Sequence, residues 1–446
     1  MTAPDASLSG ISMERQLGEL TISEIETAFP DREAVLSGSA VTARMLPEQV
    51  RVGLFYGQLT RGAMAGTRVL VKAYSSDRNN ELAAARAASA SPDSIRERLE
   101  SLVDPSASRV ASGMSMAEAI AENEFAAHCR VQASADVERR GLCRMLGRLR
   151  PQDDRSFTPG EDAVLLAAFP WRGEAVRMAL PTRLPPTLRS WADQRAAGET
   201  PGAKLWDKSV PQQALQARGR FLQSVLRGAL TGLATLHGAG LLHQGLSPSA
   251  VVLSTEDDRE GDKAKGTLSE LGFCRDAASL ALAYRAGPDG DELPDFAGLA
   301  DPLGSGLLDR ACMKTRRPGD PAERARFGRA DDVREFGMLM LEAFVLGNAP
   351  ADSPLTPLQL RSLCDGAFAQ VLDGMRTDGV DVDALRDYLS AEAGLAVGGV
   401  SGADVLGLNG GSGWSLLGSM LSGEWEDRPS AEEALEHAFW EARIFI

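Results

Sequence analysis

Cysteine is sparse in this chain. The five present (Cys129, Cys143, Cys274, Cys312 and Cys364) are scattered, with no Cys-x-x-Cys pair, which argues against both a zinc site and a disulfide framework and fits a reducing compartment. No apolar run reaches the roughly 18 residues that a membrane span needs. The longest candidates, such as Met338 to Gly347, carry a glutamate or end in glycine, so the chain is expected not to cross a bilayer. Its opening residues, Met1 to Arg32, are acidic and end in a Pro-Asp turn, unlike a signal peptide or an Arg-rich transit peptide. Positive charge is also in deficit. Lys+Arg 47 against Asp+Glu 62 leaves a formal net charge of −15, which argues against nucleic acid as a partner and favours proteins or small ligands. His128, His237 and His437 stand apart from one another, so no histidine metal cluster is expected. There is no internal repeat.

What is present changes character along the chain. Residues 1–49 read as a polar extension with one helical candidate, opened by Ser23 and Glu24 around Ile25 and Phe29. Strand-like segments follow at 50–60 and 68–74, the second with Val69, Val71 and Ala73 alternating with Leu70 and Lys72. The Ala/Ser/Arg/Glu-rich stretch 75–113 reads as a helical or partly disordered insertion, and 114–135 as a helix. A strand pair at 143–150 and 163–169 precedes a Pro-rich linker over 170–186. Beyond it, Leu222, Leu226, Ala229, Leu233 and Leu236 recur at helical spacing until Gly238 and Gly240 stop the helix. Two short strands (250–253, 267–271) and helices at 332–346, 356–377, 414–421 and 431–444 complete the pattern. A small strand-rich half followed by a larger helical half predicts an α+β, two-lobed architecture.

The segment Leu236 to Leu253, with His243-Gln244-Gly245-Leu246-Ser247-Pro248-Ser249-Ala250 at its centre, resembles the catalytic loop of eukaryotic-type protein kinases. Other kinase landmarks occur around it in the same order. Arg68 to Lys72 resembles the third strand with its phosphate-binding lysine, and Glu124 sits where the helix glutamate that pairs with it is expected. Glu270-Leu271-Gly272 resembles the Asp-Phe-Gly metal-binding turn, Asp332 opens the helix that anchors the loop, and Asp427-Arg428-Pro429 resembles the late arginine motif, with Glu323 a candidate partner for Arg428. The resemblance implies a bilobal protein-kinase-like fold. Its parts are an extension over 1–49, a β-rich N-lobe over 50–170 with the 75–113 insertion, and a helical C-lobe over 171–446 with an insertion at 350–412. Gly413-Trp414 ahead of Leu416 and Leu417, the His243-Gln244 form of the loop and the long C-terminal insertion look like a green-lineage group of plastid kinase-like proteins. That likeness alone implies a chloroplast location; otherwise the chain is expected to be cytoplasmic.

In the family, an Asp orients the attacking hydroxyl, a lysine beside it steadies the γ-phosphate, and Asn plus Asp hold magnesium. Gly245, Ser247, Ala250 and Glu270 occupy those places here. Glycine cannot accept a proton, alanine offers no oxygen to a metal, and Gln244 replaces the arginine that commonly ties down a phosphorylated activation loop. The glycine-rich loop, sought in Gly53, Gly57 and Gly62, lacks the close triplet spacing, and Phe55 and Tyr56 are bulky enough to fill the nucleotide site. The resemblance therefore implies a pseudokinase acting as a regulator or scaffold for a protein partner. ATP and Mg²⁺ are its candidate ligands, held by Lys72, Glu124, Gly53, Gly57 and Glu270, the last as the remaining metal ligand. A divergent active transferase and a purely structural subunit are the alternatives. His243, Asp332, Glu323 and Arg428 are expected to serve the scaffold.

Overall fold

The computed structural model describes residues 4–5, 10–25, 44–77, 116–134, 136–149, 163–170, 183–197, 211–277, 284–286, 292–294, 321–350, 353, 355–372, 374–395 and 401–442. Two compact units emerge, each discontinuous in sequence. One comprises Met1–Ala135, Arg144–Leu184 and Glu270–Ala325, the other Asp136–Cys143, Pro185–Ser269 and Arg326–Ile446. The single boundary expected near residue 170 is thus replaced by several crossings of the chain. Hydrogen bonding is the reason at one of them. Cys143 N–H donates to the Leu268 carbonyl at 2.8 Å and Leu268 N–H to that of Gly141 at 2.7 Å, which ties 136–143 to the second unit.

The first unit is built on a five-stranded antiparallel sheet of order β1-β2-β3-β5-β4, with β1 Ile11–Ile25, β2 Arg44–Leu59, β3 Arg68–Asp77, β4 Gly147–Leu149 and β5 Ala163–Pro170. Alternation along β2 and β3 divides the apolar side chains between two faces. Val50, Val52, Leu54 and Tyr74, with Ala167 and Phe169 of β5, pack against helix α1, Met116–Ser134, through its Ala117, Ile120, Ala121 and Phe125. On the reverse face Val69, Val71 and Ala73 join Leu59, Leu146, Leu149 and Ala168. Helix α1 is rich in alanine, carries Glu118 in its first turn, where the helix dipole favours a carboxylate, and spaces its buried residues by three or four.

Residues 11–25 are the main departure from the expected extension: they form an edge strand, and the helical candidate over Ser23–Ile25 is strand as well. Register shifts at Met13/Arg15, Gln16/Gly18 and Ile22/Glu24 break the period-two pattern that marks a strand, and the edge position keeps the segment polar. Phe29, most of the 75–113 insertion and most of the Pro-rich linker lie outside the described residues.

The second unit is helical around α3, Pro211–Gly238, and α4, Pro321–Asn348, whose first residues 321–325 belong to the first unit. Preceding α3 is α2, Leu188–Ala196, capped by Thr187. Leu222, Val225, Leu226, Ala229, Leu230, Leu233 and Leu236 of α3 are all buried, the leucines and the valine each contributing about 1.5–3 kcal/mol relative to exposure. Gly141, at φ +73°, lies flush against α3: a β-carbon there would fall 2.1 Å from the Gly228 carbonyl oxygen. Two short strands, β6 Val251–Leu253 and β7 Gly266–Leu268, pair antiparallel.

The helix expected over 356–377 is instead α5, Pro357–Asp365, followed by a hairpin of β8 Ala369–Leu372 and β9 Met375–Val380. Its turn carries Gly374 at φ +78°, a left-handed conformation that glycine adopts without penalty. Helix α6, Val382–Ala391, follows, then α7, Gly402–Met420, which breaks at Leu408–Gly411. The last expected helix shortens to α8, Ala431–Leu435, plus a 3₁₀ turn at Ala438–Trp440.

Candidate functional site

Lys72 lies at the centre of β3, opposite Leu54 of β2 and Ala167 of β5, on the face that meets α1. Its ammonium is 2.9 Å from Glu124 Oε1, 3.0 Å from Glu270 Oε1 and 5.1 Å from the Phe169 ring centroid. Of the three glutamates on α1 that share the search for a lysine partner, Glu124 meets it, while Glu122 pairs with Arg148. The two carboxylates on Lys72 differ in environment. Glu124 is 1% exposed and Glu270 35% exposed. Burial alone would lower the Lys72 pKa; the charges of Glu124 and Glu270 more than offset that and hold it above its ordinary value of 10.5.

Two further side chains brace this cluster. Tyr74, two residues along the strand on the same face, donates its hydroxyl to the second oxygen of Glu124. Burial, then the neighbouring carboxylates, raises its pKa well above the usual phenol range. Asn123 Nδ2 donates to the carbonyls of Gly272 at 2.8 Å and Cys274 at 2.7 Å, so α1 holds the backbone that follows Glu270. Glu270 itself takes a left-handed conformation, φ +63°, an uncommon state for a residue with a β-carbon and one that the Asn123 clamp helps to maintain.

His128 sits one helical turn beyond Glu124, edge-on to Phe169 at 5.6 Å between centroids. Burial, and then the charge of Lys72, pushes its pKa down from 6.5 to about 3. Its Nε2 has no hydrogen-bond partner among the described residues. Because the folded state disfavours the protonated imidazole, the titration of His128 leaves stability untouched above pH 6.5. It subtracts about 1.4 kcal/mol per pH unit as the pH falls from there toward the folded value. His128→Leu is therefore expected to gain about 1 kcal/mol at neutral pH and to lose this acid slope, as read from urea melts across that range. A slope unchanged by the substitution would show that the imidazole protonates without unfolding the chain.

The loop carrying the catalytic-loop resemblance belongs to the second unit, and Asp332 of α4 organises it. Its Oδ2 accepts the His243 N–H at 2.7 Å and its Oδ1 accepts the Gln244 N–H at 2.9 Å and Gln244 Nε2 at 3.0 Å. His237 Nε2 lies 2.9 Å from Oδ2. Burial would raise the Asp332 pKa, but the hydrogen bond and charge of His237, with His243 and the Gln244 amide, bring it below 3.8. His243 is buried, its Nε2 2.9 Å from the Ser269 carbonyl, and Gln244 is left-handed at φ +57°. The Gln244 side chain turns inward to Asp332. Ala250 is fully buried, its carbonyl accepting both the N–H and the hydroxyl of Ser269. Gly245 and Ser247 complete the run in which the family places its base and phosphate-binding lysine.

Gly53 and Gly57, sought as a phosphate loop, lie inside β2 opposite Ala73 and Val69. Gly57 serves close strand packing, since a β-carbon there would fall 2.6 Å from the Ser12 carbonyl oxygen of β1. Phe55 packs on the reverse face of the sheet from Lys72, over Gly53. Arg428 finds its carboxylate in Asp378 of β9, at 2.9 Å, which also lies 3.6 Å from Arg334. Asp378 is not visible from sequence as this partner, because most of its hairpin falls within the helix expected over 356–377. Tyr74 and His128 were legible in principle, one at i+2 from Lys72 on a strand, the other at i+4 from Glu124 on a helix. Among the described residues no cluster of three or more His, Cys, Asp or Glu could hold a metal ion, and no helix is long and apolar enough to cross a membrane.

No family model and no curated protein matches the chain. Among solved structures, the crystal structure of a Stt7 homolog from Micromonas algae, soaked with ATP, aligns with a TM-score of 0.50 at 18% identity, covering 99% of this chain and 95% of that one. With the five-stranded N-terminal sheet and the helical C-terminal part, that likeness shows a protein-kinase-like α+β fold.

Proposed function

We propose that the protein is a pseudokinase that binds ATP at Lys72 and acts as a regulator or scaffold rather than as a phosphotransferase. One observation carries this reading. The cluster of Lys72, Glu124 and Glu270 is assembled, while the loop that would perform transfer presents Gly245, Ser247 and Ala250. Glu124 is the fixed partner of Lys72, because it is buried and also held by Tyr74. Glu270, a third exposed, is the exchangeable one: phosphate oxygens would take its place on the ammonium and free its carboxylate for an accompanying Mg²⁺. Hard oxygen ligands suit that ion, and Glu270 is the residue here that would supply one. Magnesium would neutralise phosphate charge beside this acidic cluster. No residue of the loop can orient or deprotonate a hydroxyl in the family's manner. We also place the protein in the chloroplast, on the sequence resemblance; finding it only in the cytosolic fraction would remove that assignment.

Thermal shift and radiolabelled transfer with ATP and Mg²⁺ or Mn²⁺ test the function together. The melting temperature should rise with nucleotide, by the equivalent of about 2.7 kcal/mol at about 100 times Kd, with no transfer to protein substrates. Restoring the loop by Gly245→Asp, Ser247→Lys and Ala250→Asn should rescue little, since an asparagine at the fully buried position 250 overpacks its surroundings by about 1–3 kcal/mol. Labelling by the unmodified chain that disappears in Glu270→Ala would establish a divergent transferase instead. No shift at millimolar nucleotide would leave the structural-subunit reading.

A further inference from the structure

Among the described residues, large apolar side chains are almost all covered. Among the described residues, those left exposed are Leu358 (58%), Val371 (60%) and Tyr388 (41%), and all three belong to the 350–412 insertion. Between α5 and α6 the same insertion opens a hollow of about 400 Å³, walled by Leu355, Leu363, Tyr388 and Leu395. Tyr388 is fixed as one wall by its ring contact with Phe368, 5.4 Å between centroids. A volume of this size accepts one or two apolar side chains of a peptide.

The rim carries a sign. Glu392 lines the hollow and has no ion-pair partner among the described residues. It also caps the C-terminus of α6, where the carbonyl ends of the helix add partial negative charge. On α6 itself Asp383 and Asp387 share the single cation Arg386, at 2.9 and 3.3 Å. An unpaired carboxylate and a helix C-terminus converging on one apolar hollow favour a cation attached to an apolar group.

We infer that the hollow between α5 and α6 docks a short basic-apolar segment of a partner protein, with a leucine-like side chain seated against Tyr388 and a Lys or Arg beside it on Glu392. This gives the partner of the proposed binding role its chemistry. The hollow is made by residues of the second unit alone, so its occupation is read separately from nucleotide binding at Lys72.

The probes are fluorescent amphipathic peptides of leucine and lysine, in several spacings, and counterparts with glutamate in place of lysine, titrated into the full chain by polarisation. The lysine peptides should bind and the glutamate peptides should not. Tyr388→Ser and Glu392→Lys should each weaken the lysine peptides about tenfold, and Glu392→Lys should admit the glutamate peptides. Both substitutions lie at accessible positions, and each should leave the ATP-induced thermal shift as in the unmodified chain, which separates loss of this site from failure of the nucleotide reading. The inference is overturned by absent binding, by binding indifferent to peptide charge, or by affinities that neither substitution changes. Self-association of the chain abolished by Tyr388→Ser would assign the hollow to a second copy. Exchange protection of α5 and α6 in the free chain equal to that with saturating peptide would assign it to a segment of the chain itself. Either result also overturns the inference.

Discussion

Lys72→Met is expected to cost about 3–5 kcal/mol of folding stability at neutral pH and to abolish any nucleotide-induced rise in melting temperature. The first effect follows from what remains. Methionine fills much of the same volume, but Glu124 is then buried with the Tyr74 hydroxyl and no cation, a short distance from Glu270. Removing one member of a buried ion pair leaves the desolvation penalty of the other uncompensated. The sign with pH is fixed by the direction of the shift. The Lys72 pKa is raised above 10.5, so its contribution is complete below that value and lost only as the pH climbs through the higher folded one. A second substitution separates stability from binding. Glu124→Gln in the Lys72→Met background removes the orphaned charge and should recover part of the loss, yet it should not restore the response to ATP. Urea melts with and without nucleotide, on Lys72→Met and on the double variant, check both halves. A Lys72→Met protein within about 1 kcal/mol of the unmodified chain would show that the buried ion pair contributes little to stability. An intact ATP response would remove Lys72 from the nucleotide site.

How much of this cluster was legible depended on sequence distance. Lys72 stood out because Val69, Val71 and Ala73 alternate around it, and Glu124 because it falls on a helix in the right order along the chain. Neither pattern encodes that the two meet, since 52 residues separate them, or that Glu270 joins from 198 residues away. The ordered landmarks of the family supplied that pairing. The edge strand β1 was hidden for a local reason: its register shifts at three points move successive apolar residues between faces, and no alternation survives for a periodicity argument to find. The β8–β9 hairpin has a signal, Asp373-Gly374 between Val371-Leu372 and Met375, but Leu360 and Leu363 stand at helical spacing just before it and favour a continued helix. With the hairpin misread, Asp378 could not be recognised as the carboxylate of Arg428. The misplaced phosphate loop has the same origin. With no alternation visible over 1–49, the first glycines in a strand-like context are Gly53 and Gly57. With β1 in place, the β1–β2 connection becomes residues 26–43, outside the described residues.

Asp332→Ala is expected to cost a similar 3–5 kcal/mol, by the opposite route of orphaning donors. The carboxylate is buried and accepts from two backbone amides, the Gln244 side chain and, in its Nε2–H tautomer, His237. Alanine leaves these donors facing each other across a small void. Gln244 is affected most, because its left-handed backbone is held by the same bonds, and relaxing it frees the chain between His243 and Ser247. Asp332→Asn separates charge from shape. One amide oxygen can still accept from one side of the loop, but the NH₂ confronts the other side's N–H, so this variant should lose less than alanine and still be clearly destabilised. The Asp332 pKa is depressed below 3.8, so the ionised form supports the fold fully above that value and fades as the pH drops through the folded one. The gap between the unmodified chain and Asp332→Asn should hence be constant from neutrality down to about pH 4 and narrow only below it. Denaturant melts at a series of pH values measure that gap. A gap that closes well above pH 4 would mean that the carboxylate is protonated in the fold, and an Asp332→Ala protein of near-native stability would mean that the loop finds other acceptors.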